Sequence, residues 1–203
     1  MADWRGPARR FAGVAAVLAV ALVAGQSGGY AARLSPAPIT SLISLGVHNK
    51  PSAGQSYAPS ISTDGRYVAF DSDADNLVPA DNNAQNDVFV RDRQSGRTEL
   101  VSLNSSGQQG DKGSFTPSIS GDGRWVAFVS DADNLVPGDA NQASDVFLRD
   151  RRTKKTIRLS LALDGRETLG GSGPAVSATG RWVVYNVATP LISRGTDEDL
   201  AGM

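Results

Sequence analysis

The chain of 203 residues has no cysteine. That absence excludes disulfides, thiolate nucleophiles, zinc–thiolate centres and lipoprotein anchoring through an N-terminal cysteine. Histidine is nearly absent too: His48 stands alone, with no partner in the sequence that would orient it as a general base. Charge of one sign is also lacking, since 20 Lys and Arg stand against 21 Asp and Glu for a net charge of −1. No basic stripe appears, so nucleic acid is not an expected partner. No glycine loop of the phosphate-cradling kind precedes a helix pattern. A Gly-x-Ser-x-Gly string does occur in "GQSGG", Gly25 to Gly29, but no strand precedes it to form a nucleophile elbow. What is present, 40% hydrophobic residues, suffices for a packed core.

Residues 1–32 differ from the rest. Arg5, Arg9 and Arg10 precede the 15-residue run "FAGVAAVLAVALVAG", and small residues follow in "QSGGYAA", the layout of a secretory signal peptide. Cleavage after Gly25 or after Ala31 fits equally, and an uncleaved anchor is the alternative. The run is short for a membrane span, so none is expected after signal removal. The expected location is secreted or extracytoplasmic, in the periplasm or cell envelope. A linker over 33–39, repeats over 40–192 and a tail over 193–203 complete the expected division.

The repeats announce themselves. "SDADNLVPADNNAQNDVFVRD" from Ser72 and "SDADNLVPGDANQASDVFLRD" from Ser130 share 15 of 21 positions at an offset of 58 residues. Thr40, Thr98 and Thr156 keep that spacing, and "TSLISL", "TELVSL" and "TIRLSL" read as equivalent outer strands. "PSISTDGRYVAF", "PSISGDGRWVAF" and "PAVSATGRWVVY" each read as strand, tight turn, strand. Asp64-Gly65 and Asp122-Gly123 supply the turns, and Gly180 keeps that role in the third copy. Along the second strand of each hairpin both faces are apolar: Tyr67 and Ala69 point one way, Val68 and Phe70 the other. Such strands are covered on both sides. Tyr67, Trp125 and Trp182, equivalent in the three copies, therefore read as core.

With "DVFVRDR" and "DVFLRDR" as third strands, the pattern predicts an all-β chain, a partial β-propeller of four-stranded antiparallel blades with a 58-residue repeat and about two and a half blades. The segments "PSISTDGRYVAFDS" and "PSISGDGRWVAFVS" resemble the repeat of TolB-like, WD40-like β-propellers, and the longer unit with "NLVPGDANQASDVFLRDR" resembles secreted bacterial propeller repeats. The resemblance spans roughly residues 40 to 190. It departs from the family where a proline usually precedes the Asp-Gly turn: Thr63, Gly121 and Ala178 stand there. A closed propeller takes roughly four to eight blades. The chain is therefore expected to be a fragment of a longer ring, or to complete one as a homo-oligomer.

The loop between the second and third strands carries Asp81, Asn83 and Asp87 in one copy and Asp139, Asn141 and Asp145 in the other. Oxygens at this spacing match positions one, three and seven of an EF-hand calcium loop, and Asp92 and Asp150 fall at position twelve. The match is incomplete: position five is Gln85 or Ala143, position six lacks glycine, and position twelve is Asp on a strand instead of Glu on a helix. Calcium is one reading of these six residues; the other is turn-building, in which Asp and Asn bond their own backbone. Asp73, Asp75, Asp131 and Asp133 read as solvated loop charges.

The resulting functional expectation is a non-enzymatic secreted module. Its rigid blades display loops such as "NSSGQQGDKG" and "LALDGRETLGG" to a protein or cell-envelope polymer, with calcium as the candidate cofactor. An accessory propeller of a larger extracytoplasmic hydrolase or lyase is the alternative, and a nonfunctional remnant a third.

Overall fold

The computed structural model describes residues 40–188. The signal segment, the 33–39 linker, the Gly25–Gly29 string and the C-terminal tail lie outside the described residues. The first blade contains β1 (Ser56–Ile61), β2 (Tyr67–Ser72), β3 (Asp87–Asp92) and β4 (Arg97–Leu100), antiparallel in that order. β5 (Ser114–Ile119), β6 (Trp125–Ser130), β7 (Asp145–Asp150) and β8 (Lys155–Arg158) repeat it. A third, two-stranded sheet pairs β9 (Gly171–Val176) with β10 (Val183–Val187). The chain is thus an all-β partial propeller whose sheets do not close into a ring among the described residues. No helix among those residues is long and apolar enough to cross a membrane.

Register is the same in both complete blades. Phe70 faces Phe89 and Phe128 faces Phe147, each pair stacked with ring centroids 5.9 Å apart. All four rings are fully buried. The apolar faces meet between blades: Ala69, Val88, Val90 and Val101 of the first pack against Ile119, Val126, Phe128 and Phe147 of the second. Ile43, 58 residues before Val101, packs in the same way on Val68, Phe70 and Phe89. Burial of both faces is what the two-sided apolar strands require.

The outer strands are shorter than expected. β4 and β8 hold four residues each, and "TSLISL" carries isolated bridges in place of a strand, one of them between Leu45 and Pro51, with the Ser52 amide donating to the Ser44 carbonyl at 2.9 Å. The reason is local. After each segment the chain makes a tight i to i+2 turn, with the amides of Leu45, Leu103 and Leu161 donating to the carbonyls of Ile43, Val101 and Leu159 at 2.7 Å.

The hairpin turns lock neighbouring blades together. The Thr63 amide donates to the Gly121 carbonyl at 3.0 Å, and the Gly121 amide to the Ala178 carbonyl at 2.8 Å. Tyr67 lies on Gly123 and Trp125 on Gly180; a Cβ at either glycine would come within 2.1 or 2.2 Å of the ring. Both glycines also hold positive φ, 72° and 69°, so the turn and the inter-blade contact demand the same residue. Gly121 stands where a side chain would meet Thr63 Oγ1 and the Ala178 carbonyl. Tyr67 and Trp125 are therefore packed as expected. Trp182 is not, being 66% exposed, because no fourth sheet covers it among the described residues.

Candidate functional site

Each acidic loop is built on one asparagine. Asn83 Oδ1 accepts from the Gln85 amide at 3.0 Å, and Asn141 Oδ1 from the Ala143 amide at 3.0 Å, closing Asx turns. The intervening Ala84 and Gln142 take positive φ, 53° and 54°. Nδ2 of each asparagine crosses to the next connection, reaching the Gly110 carbonyl at 3.0 Å or the Thr168 carbonyl at 3.1 Å. The turn-building role of Asn83 and Asn141 is thus visible in their bonds.

Asp87 and Asp145, fully buried, open β3 and β7. Ser102 Oγ and Ser160 Oγ donate to their Oδ1 atoms, and the same hydroxyls accept from the Val88 amide at 3.1 Å and the Val146 amide at 3.0 Å. Amide, hydroxyl and carboxylate form one relay that ties the loop to the outer strand. From the next connection, Gln109 Oε1 accepts from the Asn82 amide at 3.0 Å, and Glu167 Oε1 from the Ala140 amide at 2.8 Å.

The two copies part company at one position. Arg158 on β8 has Leu100 as its counterpart, 58 residues earlier. Arg158 Nη1 lies 2.8 Å from Asp139 Oδ1, 2.9 Å from Glu167 Oε1 and 3.5 Å from Asp145 Oδ2, and its side chain is only 7% exposed. The Asp139 contact is an ion-pair distance without hydrogen-bond alignment. In the first copy no cation among the described residues replaces it. Gln109 Nε2 donates to Asp81 Oδ1 at 3.0 Å and reaches Asp87 Oδ2 at 3.4 Å, while Asp81 Oδ2 is buried without a hydrogen-bond partner.

The electrostatics follow from this difference. Burial pushes the Asp87 carboxyl up to about 6, against the pull of its Ser102 bond. Burial raises Asp81 as well, and the Gln109 amide offsets it in part. Burial pushes Asp139 up to about 6 as well, against the pull of Arg158, while Glu167 is lowered, by the Ala140 amide first and by Arg158 second. The second loop carries its own cation, whereas among the described residues the first opposes the burial of its carboxyls with hydrogen bonds alone.

Asp92 and Asp150, at position twelve, lie on strands as expected and away from this site. They close six-residue strands that Asp87 and Asp145 open, about 17 Å away along the strand. There they take bidentate bonds from Arg66, at 3.0 and 2.8 Å, and Arg124, at 3.0 and 2.6 Å, which hold both carboxyls well below the usual range. Asp73 accepts from the Gln55 amide at 2.5 Å and Asp133 pairs with Lys112 at 2.5 Å, so these loop charges also brace neighbouring turns. His48 is exposed, on a 3-10 turn over Val47–Asn49. Among the described residues no three His, Asp or Glu side chains form a metal centre on their own.

The connections that bear Gln109 and Glu167 also carry exposed tips. Ser105–Gln108 and Leu163–Arg166 share one backbone turn, with Gly107 at φ 88° and Gly165 at φ 81°, yet expose Ser-Ser-Gly-Gln in one and Leu-Asp-Gly-Arg in the other. A groove of about 370 Å³ runs beside the first tip, lined among others by Val78, Pro79, Leu100, Leu103 and Glu99. Leu100 lines it where Arg158 closes the second loop.

No protein-family model and no curated protein matches the chain. Solved structures do. A putative TolB from Agrobacterium tumefaciens aligns at 18% identity with a TM-score of 0.45, over 75% of this chain and 43% of that one. The β-propeller domain of the Trilobed protease from Pyrococcus furiosus aligns at 15% identity and 0.44, over 70% and 36%. The tricorn protease aligns at 14% identity and 0.44, over 66% and 11%. The chain spans less than half the length of each, and the fold assignment rests on the sheets and registers themselves.

Proposed function

We propose that this chain is a non-enzymatic, extracytoplasmic propeller module that binds another protein or a cell-envelope polymer through its loop tips. One observation carries the reading: the tips over Ser105–Gln108 and Leu163–Arg166 keep the same turn while their exposed side chains differ. Fixed frame and variable tip are what display requires. The frame is held by the Asn83 and Asn141 turns and by the Gln109 and Glu167 bonds to loop amides, so a tip can change without moving its base. The arginine-flanked apolar run near the N-terminus supports export. Completion of the ring by further copies of the chain belongs to the same reading.

Calcium enters this reading at the first loop alone. Among the described residues Asp81 Oδ2 is buried there without a hydrogen-bond partner, and no side-chain cation occupies the place Arg158 takes in the second. Asp81 and Asp87 would hold the ion, with backbone and solvent oxygens completing the roughly six to eight that calcium takes. Its role would be to stiffen the loop.

The test is cosedimentation of the purified chain with isolated cell-wall polymer, and surface capture of purified envelope proteins. Replacing Leu163, Asp164 and Arg166 by the Ser, Ser and Gln of the first tip should reduce binding while leaving the thermal midpoint unchanged. Binding indifferent to both tips would overturn the reading.

A further inference from the structure

β10 is a strand without its usual neighbour. Among the described residues it pairs with β9 alone, whereas β2 and β6, its counterparts, carry β3 and β7 on the second edge. Val184 is 66% exposed, while its counterparts Ala69 and Ala127 are fully buried.

Two further groups are left as those neighbours would meet them. Arg66 and Arg124 stack on Tyr67 and Trp125, with guanidinium carbons 4.8 and 4.6 Å from the ring centroids, and each grips the last Asp of the adjacent strand. Arg181 stacks on Trp182 in the same way, 5.2 Å from the centroid, but pairs with no carboxylate among the described residues. Likewise, the Leu45 and Leu103 carbonyls receive Arg91 Nη1 at 3.3 Å and Arg149 Nη1 at 3.0 Å from β3 and β7. The equivalent Leu161 carbonyl receives no side chain among the described residues.

We infer that the open edge of β10 is a strand-addition site for an extended segment of another polypeptide, of the form Asp-Val-Phe-aliphatic-Arg-Asp. The register is set by the pairing of β6 with β7, in which Trp125 faces Asp150 and Phe128 faces Phe147. Transferred to β10, it sets the last Asp opposite Trp182, within reach of Arg181, and the Phe opposite Tyr185. The Arg then lies on the side of the Leu161 carbonyl. Main-chain bonds supply affinity, and the Asp and Arg fix direction and register. The inference deepens the ring-completion part of the proposed function and is independent of the loop tips.

The probe is a fluorescein-labelled peptide with the sequence of Ala143–Arg152, titrated with the purified full chain and followed by anisotropy. Saturable binding is expected. An Asp-to-Asn change at the peptide position of Asp150 should weaken it about tenfold, the scale of a charge-assisted pair. Arg181→Gln should weaken the parent peptide by a similar factor and the Asn peptide no further. A thermal melt of Arg181→Gln checks that the blades remain folded, and Arg181→Lys, which keeps charge but not the fork, should recover only part of the affinity. Absence of saturable binding, equal binding of a scrambled peptide, or an Arg181 variant without effect would overturn the inference. None of these outcomes touches the tip-swap result.

Discussion

The two acidic loops share Asp, Asn and Asp at the same three positions and nearly the same bonds, yet they neutralise buried charge by different means. The second encloses Arg158 among Asp139, Asp145 and Glu167; the first replaces that arginine with Leu100 and the glutamate with Gln109. The formal balance of the two sets is equal: −3 + 1 for the second and −2 for the first, over equivalent positions. What differs is where the charge can go. Arg158 draws Asp139 and Glu167 toward the ionised form, although burial still lifts Asp139 to about 6; in the first loop hydrogen bonds alone oppose the burial of Asp87 and Asp81 among the described residues.

The largest expected break in that comparison is Arg158→Leu. It copies the first loop's residue but strands three acidic groups, and should cost about 3–5 kcal/mol in denaturant unfolding, as removal of one partner of a buried ion pair does. Adding Glu167→Gln reproduces the first copy's side chains and should recover a good part of the loss. A double variant as unstable as the single one would mean that the copies differ by more than these residues.

Next in size is the pH response of the first loop. Asp87 titrates near 6 in the folded chain against 3.8 for the free group, so the folded state holds more protons between those values. Stability should therefore fall as pH rises from about 4 to about 6 and then level off. Asp87→Asn should flatten that decline by about 3 kcal/mol, read from unfolding midpoints across the window. The same window includes the raised Asp71, Asp81 and Asp139, so a slope remains in the variant. Asp92 and Asp150 act in the opposite sense and lower down, since their pairing is present above the free carboxylate range and lost as pH falls through and below it.

The smallest effect is that of calcium. It should raise the thermal midpoint by a few degrees, the size of about 1 kcal/mol. Asp81→Ala should abolish the rise and Asp139→Ala should not. A rise that survives Asp81→Ala would move the ion away from the first loop.

Most of the frame could be read from the residues. The 58-residue offset and the Asp64-Gly65 and Asp122-Gly123 turns gave the hairpins, and two-sided apolar strands gave the stacking of blades. The outer strands were overextended because Val101-Ser102-Leu103 alternates like a strand. In the fold its backbone turns after Val101, while the Ser102 hydroxyl is claimed by Asp87. At the site, Asp81, Asp87 and their partners in the second copy were legible as a spacing. Gln109, Ser102, Arg158 and Glu167 were not, because they arrive from later strands and connections. One signal did exist: among otherwise matched repeats, Leu100 stands where Arg158 does.

The central claim, that burial opposed by hydrogen bonds alone pushes the Asp87 carboxyl up in the first loop, is tested most directly by titrating the Asp87 side-chain carboxyl with carbon-13 NMR in the calcium-free chain. A midpoint at about 6 is the predicted result. A midpoint at or below 3.8, the free-group value, would contradict it, showing that Asp87 remains a carboxylate without a cation beside it.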